Sequence, residues 1–135
     1  MIDLPAFVHL RSETASLAVD CRRHTPVLLY WGKLLSQNTE NEMLGELSTR
    51  QEAKCALLEE VPISFSPCLG DGCTGHAALD LFDGGIAWSI GAKLTTIEFP
   101  NAYTAVFVSV DSIRKLSITH TITLDHATNV VTATS

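Results

Sequence analysis

The feature that most constrains the fold is a succession of short alternating runs of apolar and polar residues, separated by turn-forming residues. The clearest run covers residues 116–124, where Leu, Ile and His alternate with Ser and Thr. A period of two places successive side chains on opposite faces of a strand. The run therefore predicts a β-strand with an apolar face, and His120 lies on that face.

Further runs of the same kind predict the other strands. They cover residues 7–11, 16–21, 26–31, 77–82, 86–90, 94–99, 104–110 and 130–133. The run 26–31 is apolar on both faces, which is typical of a strand buried on both sides. Nothing supplies the crossover helices that parallel strands require. The sequence therefore predicts an all-β fold, an antiparallel β-sandwich.

Two segments interrupt this pattern. Residues 36–60 are rich in Glu, Leu, Gln and Ala, and Thr39 with Glu42 has the spacing of a capping box. We expect one short helical excursion between Asn38 and Leu58. Residues 61–83 contain several prolines and glycines, which predict a long loop with tight turns.

Length and composition exclude several classes of protein. The chain has 135 residues, enough for one domain, 1–135, but too few for a TIM barrel of about 250 residues. The formal net charge of −6, with only nine Lys and Arg residues, disfavours nucleic-acid binding. No apolar run is long enough for a membrane span, and no signal peptide is visible. We expect a cytoplasmic chain whose four cysteines are free thiols.

A glycine-rich segment offers two kinds of site. Gly70, Gly72 and Gly75 have the spacing of a dinucleotide-binding motif, but strand-like residues follow where the mechanism needs a helix. Cys68, Cys73 and His76 resemble a zinc-ligand set, but no second ligand pair completes a tetrahedron. We expect a glycine-shaped loop, with no metal and no cofactor.

No catalytic constellation is evident. The candidate carboxylates are Glu59, Glu60, Asp71, Asp80 and Asp83. A glycosidase needs two carboxylates facing each other across a sugar, and neighbours on a loop give no reason to expect that arrangement. The sequence therefore predicts no catalytic residue.

Three aromatic residues are candidates for sugar platforms, namely Tyr30, Trp31 and Trp88. Large aromatics on strands are more often core anchors, and we expect that role here. The other histidines, His9, His24 and His126, are scattered, and for His120 a hydrogen-bonded core imidazole is expected.

Several segments, in order, resemble the N-terminal region of family 36 α-galactosidases. Residues 7–16, FVHLRSETAS, resemble the family's opening, and residues 28–33, LLYWGK, match its "YWGK" signature. Residues 66–79 resemble a glycine-rich segment of one branch, although Cys68, Cys73 and Ala77 differ from it. Residues 113–118 and 122–132 are similar to the end of the same region.

The resemblance implies a supersandwich-like N-terminal domain, followed by a TIM-barrel catalytic domain and a small C-terminal sheet. Both catalytic aspartates of the retaining mechanism belong to the barrel, so the resemblance transfers no catalytic residue to this chain. The resemblance also implies that the protein is a homo-oligomer. It implies that the parent enzyme binds α-galactosides. In some members an N-terminal loop reaches a neighbouring active site, but residues 43–50 differ from that loop.

We therefore expect a non-catalytic fragment of a longer α-galactosidase-like enzyme, inactive alone, that supports the catalytic barrel and subunit assembly. The alternative is a free-standing carbohydrate-binding module or an uncharacterised β-sandwich protein.

Overall fold

The computed structural model describes residues 4–36, 41–47, 63–67, 78, 81–84, 86–88 and 90–135. The strands and the helix in these ranges are β1 (Phe7–Arg11), β2 (Ala15–Asp20), β3 (Val27–Lys33), α1 (Asn41–Leu47), β4 (Ile63–Ser64), β5 (Leu81–Asp83), β6 (Ile86–Trp88), β7 (Lys93–Asn101), β8 (Thr104–Asp111), β9 (Leu116–Leu124) and β10 (Val131–Thr134).

The strands form two four-stranded sheets and one hairpin. The first sheet has the order β1-β2-β3-β4, the second has the order β10-β9-β8-β7, and β5 pairs with β6. Every described strand pair is antiparallel. The two sheets pack face to face over a common core. The prediction of an all-β antiparallel sandwich with one short helix is confirmed.

The main core lies between β1 and β2 on one side and β8 and β9 on the other. Its buried members are Val8, Leu10, Leu17, Val19, Cys21, Ala105, Phe107, Ile122 and Leu124. These residues alternate along their strands with residues that face away from the core. The period of two in the sequence therefore produces this cluster, which we call cluster 1.

A smaller apolar cluster lies towards the β8–β9 turn. Ile90, Ala92 and Ile118 are its buried members, and Leu81 and Leu116 pack against it. We call it cluster 2. Along β9, His120 stands between Ile118 of cluster 2 and Ile122 of cluster 1. A buried polar residue therefore lies between the two apolar clusters.

The strand that is buried on both faces is β2, and the prediction of this property for residues 26–31 is wrong. All six residues of β2 are buried, whereas β3 is mostly half-buried and Trp31 is exposed. The chain after β3 crosses the outer side of β2, where the Leu35 N–H donates to Ser16 Oγ at 3.0 Å. Helix α1 lies on the same side, since a Cβ at Gly45 would be 3.7 Å from the Phe7 ring. This outer layer buries β2.

Helix α1 falls within the predicted helical excursion, and its Leu44 is buried. Thr39 and residues 48–60 lie outside the described residues. Strand β4 is a correction, because it pairs with β3 inside the segment predicted as a loop. The predicted strands 77–82 and 86–90 are described only as β5 and β6. No helix in the described part of the chain has the length and apolar character of a membrane span.

Candidate functional site

Asp111 is a buried carboxylate at the end of β8, and hydrogen bonds within the chain occupy both of its oxygens. Oδ2 accepts from the Gly91 N–H and from the Arg114 guanidinium, both at 3.0 Å. Oδ1 accepts from the backbone N–H groups of Ile113 and Arg114. These contacts, with the Gly91 N–H first among them, lower the pKa of Asp111 to about 2. Asp111 therefore anchors the β8–β9 turn to the segment before β7.

Asp20 is a second buried carboxylate, and Arg22 neutralises it. The Arg22 Nε donates to Oδ1 at 3.0 Å and its Nη2 to Oδ2 at 2.7 Å. The same guanidinium lies 4.6 Å from the centroid of the Phe7 ring. Burial acts to raise the pKa of Asp20, but the hydrogen bonds and charge of Arg22 outweigh it, so the pKa is lowered. Neither Asp20 nor Asp111 is suited to act as a general acid near neutral pH.

A serine–histidine pair joins the two sheets. Ser66 Oγ and His120 Nε2 are 2.5 Å apart, and each residue is only 2% exposed. His120 Nδ1 is buried and has no hydrogen-bond partner among the described residues. Burial lowers the pKa of His120, so the ring is neutral at neutral pH. The prediction that His120 is a hydrogen-bonded core imidazole is confirmed.

The Ser66–His120 pair does not form a nucleophilic site with the residues that the structure describes. A catalytic serine needs a base that a third group orients and a surface that substrate can reach. The pair is buried, and no described carboxylate is bonded to His120 Nδ1. Its role is therefore to hold the segment after β4 against β9.

The remaining described histidines lie apart from one another. The His9 Nε2 is 2.9 Å from Ser16 Oγ on the outer side of the first sheet. Burial, followed by the charge of Arg11, lowers the pKa of His9. His126 is exposed and stacks on Tyr103 with the ring centroids 5.2 Å apart. Within the described ranges, no three His, Cys, Asp or Glu side chains meet as metal ligands would.

Trp31 is 56% exposed, so its interpretation as a core anchor is wrong. It pairs with Leu17 and lies on the core side of the first sheet, but at the end of the sandwich. Its indole N–H donates to the backbone oxygen of Asn129 in the β9–β10 turn at 3.2 Å. The ring is thus held in place with much of its surface in solvent.

Tyr30 is half-buried and lies along its own strand. A Cβ at Gly32 would be 3.0 Å from the Tyr30 hydroxyl oxygen, so the phenol ring covers the glycine. The Tyr30 hydroxyl donates to the Lys33 carbonyl at 2.9 Å. Tyr30 therefore packs on the end of its own strand, β3.

Asn129 connects the β9–β10 turn to the first sheet. Its Oδ1 accepts from the Ser12 hydroxyl at 2.6 Å, and its Nδ2 donates to Thr14 Oγ1 at 2.8 Å. Its backbone has a positive φ of 58°, a left-handed conformation that asparagine tolerates better than most residues. The polar residues 125–129 are typical of a turn, but the sequence holds no signal for the bonds of Asn129 to the other sheet.

Three exposed apolar side chains lie on the elements that adjoin cluster 2, at the opposite end of the sandwich. Ile113 in the β8–β9 turn is 85% exposed, Phe82 in β5 is 69% exposed and Ile86 in β6 is 56% exposed. Leu81 of the same hairpin packs on cluster 2. We call Phe82, Ile86 and Ile113 the apolar end. Phe82 pairs with Ala87 and Ile86 pairs with Asp83, so Phe82 and Ile86 lie on opposite faces of the hairpin. Exposed apolar side chains of this size are suited to contact with a partner.

Cys21 is the described cysteine, and it is a free thiol, as predicted. Burial, with a smaller effect of the Asp20 charge, raises its pKa to about 12. A thiol that stays protonated is a poor nucleophile. Cys21 therefore acts as a small core residue of cluster 1.

Several predicted site residues lie outside the described residues. They are Glu59, Glu60, Cys68, Gly70, Asp71, Gly72, Cys73, Gly75, His76 and Asp80, together with Cys55 and Ala77. The side chains of Asp83 and Trp88 are also outside the description. Predictions for these side chains stay predictions.

Comparison of the chain with protein-family models, curated proteins and solved structures found no match.

Proposed function

We propose that this chain is a non-catalytic β-sandwich module of an α-galactosidase-like glycoside hydrolase, in which the apolar end packs against the catalytic barrel. The observation that carries the proposal is the exposure of Phe82, Ile86 and Ile113, which lie on the hairpin and the turn that adjoin cluster 2. The ordered resemblance to family 36 over residues 7–16, 28–33 and 66–79 names the parent enzyme.

The described carboxylates are not arranged as a catalytic pair, and this favours a non-catalytic role. Asp20 and Asp111, the buried carboxylates, are neutralised by Arg22 and Arg114. A retaining glycosidase needs two carboxyl groups about 5 Å apart and open to the sugar. Asp20 and Asp111 are both closed to substrate, so neither of these described carboxylates is suited to bond cleavage.

Packing against a second domain would explain why the side chains of the apolar end are exposed in this chain. Contacts between domains of one chain bury roughly 600–1,500 Å², and fully burying a Phe or Ile side chain contributes about 1.5–3 kcal/mol. The neighbouring Asp111–Arg114 pair fixes the turn that carries Ile113. These bonds set the conformation of the turn on which the exposed isoleucine lies.

The test is binding between this chain and a separately expressed α-galactosidase catalytic barrel that lacks its own N-terminal domain. We expect calorimetry to show binding that Ile113→Ser and Phe82→Ser weaken about tenfold each, because each removes buried apolar area. Val130→Ser is the matched control, since Val130 is 54% exposed and lies at the other end of the sandwich. Absence of binding, or equal losses in all three variants, would contradict the proposal.

A carbohydrate-binding module is the second candidate, and the exposure of Trp31 favours it. An indole face that is fixed by one hydrogen bond and open to solvent is able to stack on a sugar ring. Titration with galactose-containing oligosaccharides, followed by tryptophan fluorescence, tests this candidate. It requires that Trp31→Ala abolish binding while Phe99→Ala, which removes another exposed aromatic, does not.

A further inference from the structure

The outer face of the second sheet is almost free of charge. Register places on this face Lys93, Thr96 and Glu98 of β7, Thr104, Val106, Val108 and Val110 of β8, Ser117, Thr119, Thr121 and Thr123 of β9, and Thr132 and Thr134 of β10. Its charged residues are Lys93 and Glu98, both on the edge strand. Depletion of charge at the centre of a surface patch is typical of interfaces.

The centre of this face is aliphatic. Val106, Val108 and Val110 form a row along β8, and Thr119 and Thr121 of β9 lie beside it. The valines are half-buried by their neighbours, whereas Thr119 is exposed. β-branched side chains on a pleated sheet give a flat surface on which another sheet can pack.

The two charges are placed symmetrically about the middle of the face. Lys93 pairs with Val110 and Glu98 pairs with Val106, so Val108 lies midway between them. A twofold axis that runs across the strands over Val108 reverses the strand direction in a second copy. Lys93 of one copy then lies opposite Glu98 of the partner subunit, and the contact occurs twice, as in any isologous interface.

We propose that this outer face is a self-association surface, on which a second copy of the chain packs sheet to sheet about that axis. Thr119 and Val108 then lie on the axis opposite their own copies, and the two Lys93–Glu98 pairs close the β7 edge. The surface is separate from the apolar end, and the inference does not depend on the identity of the parent enzyme.

The size of the face predicts a weak dimer. The four strands have nine, eight, nine and four residues, so at about 3.4 Å per residue and about 4.8 Å between strands the face covers roughly 500 Å². Two copies then bury roughly 1,000 Å², which is near the lower limit for a specific interface. Because weak and transient contacts lie at the low end of the size range, we expect a reversible dimer that forms between about 10 μM and about 1 mM.

Charge reversal tests the pairing, with sedimentation velocity on the 135-residue chain as the measurement. Lys93→Glu alone, or Glu98→Lys alone, places like charges opposite each other twice, and each should raise the dimer dissociation constant about tenfold. The double variant Lys93→Glu/Glu98→Lys restores opposite charges and should return the constant to within about threefold of the starting value. Thr119→Lys should abolish the dimer, because two ammonium groups then meet on the axis.

Matched controls change charge elsewhere. Lys33→Glu on β3 and Glu46→Lys on α1 alter the net charge by the same amounts and should leave the dissociation constant within about threefold, since both side chains lie on the first-sheet side. Circular dichroism on every variant confirms that the sandwich is intact. A chain that stays monomeric to about 1 mM overturns the proposal, as does a double variant that remains as weak as the single ones. Loss of barrel binding in the Ile113 variants is measured separately, so either proposal can fail alone.

Discussion

Asn129 shows how one residue joins the two halves of the sandwich. Its side chain bonds Ser12 and Thr14, and its carbonyl accepts the Trp31 indole N–H. The left-handed backbone lets these groups point to the first sheet while the backbone N–H donates to Asp125 O at 2.9 Å. Asparagine is common in left-handed turn positions, so the sequence predicts a turn but not its partners.

Two substitutions of Asn129 separate the contribution of its side-chain hydrogen bonds from that of its left-handed backbone conformation. Asn129→Ala removes two side-chain hydrogen bonds and puts a Cβ-bearing residue without local bonds in the left-handed region, so it should lower the free energy of unfolding by about 2–4 kcal/mol. Asn129→Gly keeps the backbone conformation and should cost about 1 kcal/mol less than the alanine variant. Urea unfolding measures both values.

The control for this prediction is Lys115→Gly. Lys115 also has a positive φ, of 53°, but it lies in the β8–β9 turn, away from Asn129. Glycine relieves the backbone strain there, so the free energy of unfolding should not fall by more than about 0.5 kcal/mol. If both Asn129 variants match the unsubstituted chain within that margin, Asn129 does not hold the sheets together.

The strands differ in how well the sequence predicts them. β9 and β1 alternate cleanly, so their faces follow from the period of two. β4 has two residues, too few for any period, and it forms because Ile63 and Ser64 lie beside Leu28 and Val27 of β3. Strand β2 is buried on both faces because the chain after β3 crosses its outer side. A local sequence pattern does not predict the path of a later segment.

The same limit applies to the candidate site. The apolar side of β9 predicted a buried His120, but its partner Ser66 is distant in sequence and follows a strand that was not predicted. Leu81 of the β5–β6 hairpin and Leu116 after the β8–β9 turn are distant in sequence, yet both pack against cluster 2. Alternation identifies which face is buried, whereas the contacts between distant segments require the tertiary structure.

The link between β4 and β9 should depend on pH. Because burial lowers the folded-state pKa of His120 below its usual value of 6.5, the unfolded chain takes up the proton first. Stability is therefore greatest above about pH 6.5 and falls as the pH drops from there towards the folded-state pKa. His120→Gln should remove part of this loss, as measured by urea unfolding at a series of pH values.

A second histidine serves as a comparison for His120. His9 is half-buried with a lowered pKa, so His9→Gln should remove a further part of the loss of stability in acid. A His120 ring whose proton signals titrate above 6.5 in NMR would show that the imidazole gains a favourable partner in its charged form, contrary to this account.

At the scale of the whole molecule, the core consists of two unequal parts with polar residues between them. Cluster 1 unites both sheets, whereas cluster 2 holds the β8–β9 end and Ile90 and Ala92 before β7. Ser109 and His120, both buried, lie on the core side between them. Regions with fewer buried apolar contacts open more readily than the rest of a fold. The end that carries Ile113 is therefore the less stable part of the sandwich.

Truncation of one residue in each cluster should separate global from local unfolding. Phe107→Ala, in cluster 1, should cost about 3–5 kcal/mol and reduce amide protection in both sheets, because its ring is fully buried between them. Ile118→Ala should cost about 2 kcal/mol and raise hydrogen exchange mainly at residues 90–92 and 111–118, while β1 and β2 stay protected. Val106→Ala, on the outer face of β8, is the control and should cost less than about 1 kcal/mol. Hydrogen exchange followed by mass spectrometry distinguishes the patterns, and equal loss of protection in both sheets for Ile118→Ala would mean that the two clusters unfold as one unit.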